Sequence, residues 1–196
     1  GEVLRYTTDK AEPEAYYYSR LYRNRYGIRA IKTLTDALRP AFPNAGIGAN
    51  FSPHHGHPYL PETHQWVSLF REGGMTMPWG EDYIFQMPVA SPQCNFLQLD
   101  LFRAGVAPGA RIQFYVMAHA PGQTPAMWRR MFYGALAHGA KIFNLFEFRP
   151  VQAAYTENHC SNPAPFLAAR TAFPELGTIE ALVPDGRLRP AAAALW

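Results

Sequence analysis

The stretch NLFEFRPV, residues 144–151, places a single carboxylate, Glu147, in an otherwise apolar run and follows it with Arg149. A strand buried on both faces would exclude both charges, because burying an unpaired charge is costly. We interpret the stretch as the end of a strand whose tip lines a cleft, where Glu147 could act as a general acid or base. The competing interpretation is a core carboxylate that pairs with Arg149 or with another arginine.

A second pair of carboxylates, Glu81 and Asp82, comes after Trp79 and a glycine. This position suits a cleft loop, although two solvated loop acids would need no function. The loop-like sequence PWGEDY would not bury a tryptophan readily, so we predict that Trp79 stacks against a sugar ring. Aromatic residues make up 14% of the chain, which fits either several such platforms or a core filled by rings.

Histidines cluster in HHGH, residues 54–57, and His64 and His119 lie further along the chain. Imidazoles so close together in a loop could share a metal ion. The cluster has no cysteine partner and no helical i, i+4 spacing, so hydrogen bonding of His54, His55 and His119 to substrate hydroxyls is favoured over metal binding. A purely structural role is the other alternative. We therefore predict no metal and no other cofactor.

Strand and helix signals alternate along the chain, and these elements must position the polar residues. Strands are predicted near 45–51, 75–79, 111–118 and 141–148, and helices at 13–39, 61–74, 91–105, 124–139 and 163–172. Proline opens several of the helices, and Gly27 is expected to divide the first one in two. Strands about 30 residues apart with helices between them are typical of parallel βα units.

Polar residues follow each predicted strand, at positions 50–57, 81–82, 119 and 147–149. A dinucleotide-binding sheet would carry a glycine-rich phosphate turn, and GIGANF lacks its third glycine. Barrels of the (β/α)8 type place their chemistry at the carboxyl ends of the strands. We therefore predict an α/β barrel in which the four strands are parallel and adjacent in chain order, with the helices outside. An antiparallel pair among them would contradict this prediction.

Charge and hydropathy exclude two classes of partner. The net charge is +3 and no block of Lys and Arg exceeds two residues, so no nucleic acid partner is expected. No apolar stretch approaches the roughly 18 residues that a membrane span needs, so no membrane partner is expected. Cys94 and Cys160 permit at most one intramolecular disulfide and no cysteine-based zinc site.

The order of several motifs carries a family resemblance. They are Met117, Pro121-Gly122, Trp128, Ala137 to Ala140 and Phe146 to Arg149, preceded by GANFSP and MTMPWGEDY. These motifs resemble those of strands five to eight in glycoside hydrolase family 42, which comprises retaining β-galactosidases with a (β/α)8 barrel. The resemblance covers most of residues 44–150. It implies a glycoside or oligosaccharide with a β-linked sugar as the substrate.

The chain departs from the family pattern at both catalytic carboxylates. Ala118 stands where the family has its nucleophile glutamate, and the family's Asn-Glu acid/base motif on strand four has no counterpart. YTTDKAEPEAYY lies where strand four would end.

Two carboxyl groups roughly 5 to 5.5 Å apart would act as a retaining pair, and a separation of roughly 6.5 to 9.5 Å would suit inversion. The candidate catalytic residues are Glu147, Glu81, Glu12 and Glu14. The candidate substrate-binding residues are Trp79, Asn50, His54, His55, Asp82, His119 and Arg149.

The resemblance also implies domain bounds. Residues 1–186 would form a partial (β/α)8 barrel, about strands four to eight, and residues 187–196 would begin a link to a following domain. A partial barrel exposes a strand edge. We therefore expect this piece alone to be inactive and prone to association, and a homo-oligomer is one expected form of the full-length protein. Purified residues 1–196 that stay monomeric and hydrolyse an aryl glycoside would contradict this expectation.

Three functions are open at this point. The first is two-carboxylate hydrolysis of a β-linked glycoside. The second is a barrel of the same ancestry that binds carbohydrate without cleaving it, motivated by Ala118. The third is a metal-dependent hydrolase that uses the histidine-rich loop. Under the first, Glu147→Gln should lower turnover by orders of magnitude and leave the fold intact, whereas an outward Glu147 paired with an arginine would affect stability instead.

Overall fold

The computed structural model describes residues 5–52, 62–81, 92–118, 123–146 and 163–182. Within them the chain is a mixed α/β protein with one four-stranded parallel sheet and helices between the strands. The strands are β1 (Asn50–Phe51), β2 (Trp79–Glu81), β3 (Ile112–Val116) and β4 (Ala140–Leu145). They are hydrogen-bonded in the order β1-β2-β3-β4, and every pair is parallel. The predicted order and direction of the strands are confirmed.

The first strand is much shorter than the predicted 45–51. The segment before β1 is nevertheless hydrogen-bonded to the segment before β2: the Ile47 carbonyl accepts the backbone N–H groups of Thr76 and Met77 at 2.8 and 3.0 Å. Gly46 and Gly48 lie so close to Met77 that a Cβ on either would overlap it. The glycines therefore allow a close but irregular approach, and regular pairing begins at Asn50.

In the described residues, five α-helices connect or flank the strands. They are α1 (Pro13–Leu38), α2 (Trp66–Arg71), α3 (Pro92–Gly105), α4 (Pro125–Ala137) and α5 (Ala164–Ile179), with 3₁₀ turns at Thr63–Gln65 and Glu180–Leu182. The predicted start of α4 is confirmed: the Thr124 hydroxyl accepts the Met127 N–H at 3.2 Å.

The predicted break at Gly27 is wrong, because α1 runs through it without interruption. A glycine inside a helix costs only about 1 kcal/mol relative to alanine. Asn24 and Ile28 on either side of it are buried, so packing of the helix offsets that cost.

The core lies between the sheet and the helices, and aromatic rings are among its largest side chains. Phe51 of β1 contacts the rings of Trp66 and Phe102 at centroid distances of 5.0 and 5.2 Å. At the other end of the sheet, Phe132 of α4 packs against Phe143 of β4 at 4.5 Å. Many of the aromatic residues are therefore explained by core packing, although tyrosines such as those on α1 remain exposed.

A polar cluster joins α4 to α5. The Arg129 guanidinium donates to both oxygens of Glu175, at 3.2 and 2.7 Å, and Tyr133 donates its hydroxyl to the same carboxylate. Arg129 also lies 5.4 Å from the centre of the Tyr133 ring. Arg129 thus bridges two helices, whereas its neighbour Arg130 is exposed.

This cluster predicts a pH-dependent contribution to stability. The hydrogen bond from Arg129, and then that from Tyr133, holds the pKa of Glu175 below its usual value. A carboxylate whose pKa is depressed stabilises the fold above its unfolded-state pKa of about 4.3, and that contribution is lost as the pH falls through the lower folded-state pKa. Glu175→Gln should therefore lower the free energy of unfolding at pH 7 and lower it less at pH 3.

Urea denaturation at the two pH values measures this difference. Glu180→Gln, which changes an exposed carboxylate just after α5, serves as the control and should have little effect at either pH. A loss in Glu175→Gln that is equal at pH 7 and pH 3 would contradict the prediction.

Candidate functional site

The register of the strands assigns their residues to two faces. Phe51, Gly80, Phe114 and Phe143 are successive partners across the sheet, and this row faces the helices. Neighbouring residues of a strand alternate between the two faces of the sheet. The residues just before and just after this row therefore point to the opposite face, away from the helices. We call this second surface the polar face. It carries Asn50, Trp79, Gln113 and Ile142 in one row and Glu81, Tyr115 and Asn144 in the other.

A buried carboxylate lies at the carboxyl end of β2. Glu81 is the last residue of the strand and is only 7% exposed. The Asn50 side chain donates its Nδ2–H to Glu81 Oε2 at 2.7 Å, across the β1–β2 pair. The interpretation of Glu81 as a solvated loop acid is wrong, because Glu81 belongs to β2 and is buried.

The amide of Asn50 offers a second polar atom. Its Oδ1 is buried, and it has no hydrogen-bond partner in the part of the chain that the structure describes. A buried acceptor without a donor costs about 1–3 kcal/mol. A ligand hydroxyl could supply that donor while Asn50 Nδ2 stays on Glu81.

Trp79 belongs to β2 rather than to a loop, and its side chain is half-buried. Its ring lies close to the segment that leads into β1, since a Cβ on Gly48 would lie 3.6 Å from the Trp79 Cε3 atom. Trp79 is the register partner of Asn50, so an aromatic ring lies beside the amide on the polar face. Stacking of a sugar on this ring stays a prediction.

The sequence analysis did not predict three residues of the polar face as site residues: Gln113, Tyr115 and Asn144. Tyr115 is the register partner of both Glu81 and Asn144, and its ring meets Phe146 edge-on at 5.9 Å. The period-two alternation in IQFYV and FNLF contains the signal, because polar or amphipathic residues alternate there with residues that face the helices.

Other predicted site residues have different positions. Glu12 and Glu14 lie at the start of α1 with exposed side chains, and Glu12 pairs with Arg5 at 3.3 Å. No strand is described between residues 5 and 12, where strand four was expected to end. Outside the described residues lie Glu147, Asp82, Arg149, His54, His55 and His119.

Ala118 follows β3 and is 1% exposed, in contact with the hydrophobic core. The position that the family resemblance assigns to a nucleophile is thus apolar and buried. His138 has a structural environment. Its ring stacks on Phe96 at 4.6 Å, and its Nδ1 lies 3.0 Å from Asp100 Oδ1 between α3 and α4.

The described residues contain no group of three or more His, Cys, Asp or Glu side chains that could hold a metal ion. Among the described helices, none is long and apolar enough to cross a membrane.

An apolar groove of about 610 Å³ lies beside α1. One wall is α1, with Tyr22, Tyr26, Leu34 and Leu38, and the other is the segment Ile47, Gly48 and Ala49 that leads into β1. The groove therefore runs beside β1, which in the described sheet is paired only with β2.

Comparison with family models, with curated proteins and with solved structures finds no match for this chain.

Proposed function

We propose that the chain forms the catalytic part of a glycoside hydrolase that cleaves a β-linked sugar with two carboxyl groups. Glu81 supplies one carboxyl group and Glu147 the other. The observation that supports this most is the buried Glu81 carboxylate, hydrogen-bonded to Asn50 at the carboxyl end of a parallel sheet. Parallel α/β enzymes place their chemistry at this edge.

The surroundings of Glu81 suit a sugar. Trp79 and Tyr115 offer ring surfaces on the polar face, and the side-chain amides of Asn50, Gln113 and Asn144 offer donors and acceptors for hydroxyl groups. A carboxyl group held by an amide donor has a fixed orientation, which general acid–base catalysis requires.

We further propose that the sheet is the later part of a (β/α)8 barrel. A strand added beside β1 would occupy the groove between α1 and residues 47–49, since a helix that precedes a strand in a parallel βα unit covers that strand and its neighbour. Such a strand would also cover the groove's exposed apolar side chains, including Leu34 and Leu38.

A barrel that binds carbohydrate without cleaving it is the second candidate. It is favoured by Ala118, because this buried apolar residue leaves the resembled nucleophile position without a carboxylate. The polar face would then hold a sugar through its amides and rings alone.

Assays on the full-length protein separate these candidates. Release of nitrophenol from aryl β-glycosides, unchanged by a chelator, is the expected result. Calorimetric sugar binding without any hydrolysis would support the second candidate instead. Turnover that a chelator abolishes would contradict both and favour a metal-dependent hydrolase.

A further inference from the structure

A buried glutamine of α3 touches both strands that carry the Asn50–Glu81 pair. Gln98 is 2% exposed, and its side chain donates an Nε2–H to the backbone carbonyl of Phe51 at 2.8 Å. Its amide also lies against Gly80: a Cβ there would be 2.7 Å from Oε1 and 2.8 Å from Cδ of Gln98. The absence of a side chain at Gly80 therefore makes room for this amide.

Phe51 and Gly80 are register partners, and they adjoin the residues of the polar face. Asn50 immediately precedes Phe51, and Glu81 immediately follows Gly80. Gln98 thus contacts the helix-covered face of the sheet, directly opposite the Asn50–Glu81 hydrogen bond on the polar face. A change in the spacing of β1 and β2 at this level would change the 2.7 Å hydrogen bond directly.

We propose that Gln98 is a positioning residue for the Asn50–Glu81 pair and that Gly80 is required for its placement. Gln98 fixes the Phe51 carbonyl and, through it, the backbone that orients Asn50. Its effect on catalysis rests on the glycosidase function proposed above, whereas its effect on the Asn50–Glu81 hydrogen bond does not. A buried amide keeps its hydrogen bond because leaving the donor unpaired would lower the stability of the fold.

The test compares Gln98→Met with Asn95→Met. Methionine has nearly the volume of glutamine but cannot donate to Phe51. Asn95 lies one turn earlier on α3 and is fully buried, but its amide donates to the sulfur of Met131 on α4 at 3.5 Å rather than to a strand. It therefore controls for the loss of a buried amide from the same helix.

Hydrogen exchange of the Asn50 side-chain amide, followed by NMR in the full-length protein, reports on the pair independently of activity. We expect exchange about tenfold faster in Gln98→Met and in Gly80→Ala and unchanged in Asn95→Met. With a cleavable glycoside, kcat should fall about 10- to 100-fold in Gln98→Met with little change in KM, because small misplacements of a catalytic group have effects of this size.

Unchanged exchange at Asn50 in Gln98→Met would overturn the proposal whether or not a glycoside is cleaved. An equal effect of Asn95→Met would also overturn it, because the change would then reflect general loosening. Faster exchange only in Gln98→Met and Gly80→Ala, in a protein that cleaves no glycoside, supports the positioning role and contradicts only the proposed enzymatic function.

Discussion

Glu81→Gln in the full-length protein is expected to lower kcat for an aryl β-glycoside by about 10²- to 10⁴-fold, the usual contribution of a general acid or base. The substitution preserves the size of the side chain and the acceptor for Asn50 Nδ2, so the fold should remain intact. Steady-state kinetics, together with a thermal melt, measure both effects.

Glu72→Gln is the matched control, because Glu72 is an exposed carboxylate just after α2. We expect it to retain full activity. If Glu81→Gln keeps its activity, or loses it only in proportion to a loss of folded protein, Glu81 has no catalytic role.

Gly48→Ala is expected to destabilise the protein by about 3 kcal/mol or more, within the range that overpacked backbone contacts produce. A Cβ on Gly48 would lie 1.7 Å from the Met77 carbonyl oxygen and 2.9 Å from its carbon. Backbone atoms cannot rotate away as a side chain can, so residue 48 must separate from the chain that enters β2. Because Asn50 is close by, the Asn50–Glu81 hydrogen bond should weaken as well.

Gly27→Ala provides a control of opposite sign. Gly27 lies inside α1 and has no atom within 4 Å of the position of a Cβ, so alanine should stabilise the protein by about 0.5–1 kcal/mol. Denaturant unfolding of both variants measures the two changes. Equal stabilities for Gly48→Ala and the parent protein would contradict the described approach of residue 48 to Met77.

The strand order and most of the helices were predictable because their signals are local. Pro125 at a helix start, Gly139 after its end and the apolar run that contains β4 each act within a few residues. The βα alternation then predicts parallel neighbours without knowledge of any contact.

The composition of the polar face was only partly predictable. Asn50 and Glu81 were identified as candidates because they follow apolar runs, but the hydrogen bond between them depends on the pairing of β1 with β2. Gln113 and Asn144 lie in the same face through register alone, and Gln98 acts from behind the sheet. These relations are set by tertiary packing, which no stretch of a few residues encodes.

The family resemblance contributed the chemistry rather than the geometry. It implied two carboxylates and a sugar, and it directed attention to Glu12 and Glu14, whose carboxylates are exposed at the start of α1. Glu147 stays a prediction, as does its separation from Glu81. Of the four candidate carboxylates, Glu81 is the one that the structure describes as buried, and it accepts a hydrogen bond from an amide of the adjacent strand.

The most direct test of the proposed site is a crystal structure of the full-length Glu81→Gln variant with an uncleaved β-glycoside. We expect a sugar on the polar face, with a hydroxyl within about 3 Å of Asn50 Oδ1 and the glycosidic oxygen beside the side chain at position 81. A glycoside bound in the groove beside α1, or elsewhere with Asn50 and position 81 untouched, would contradict this expectation.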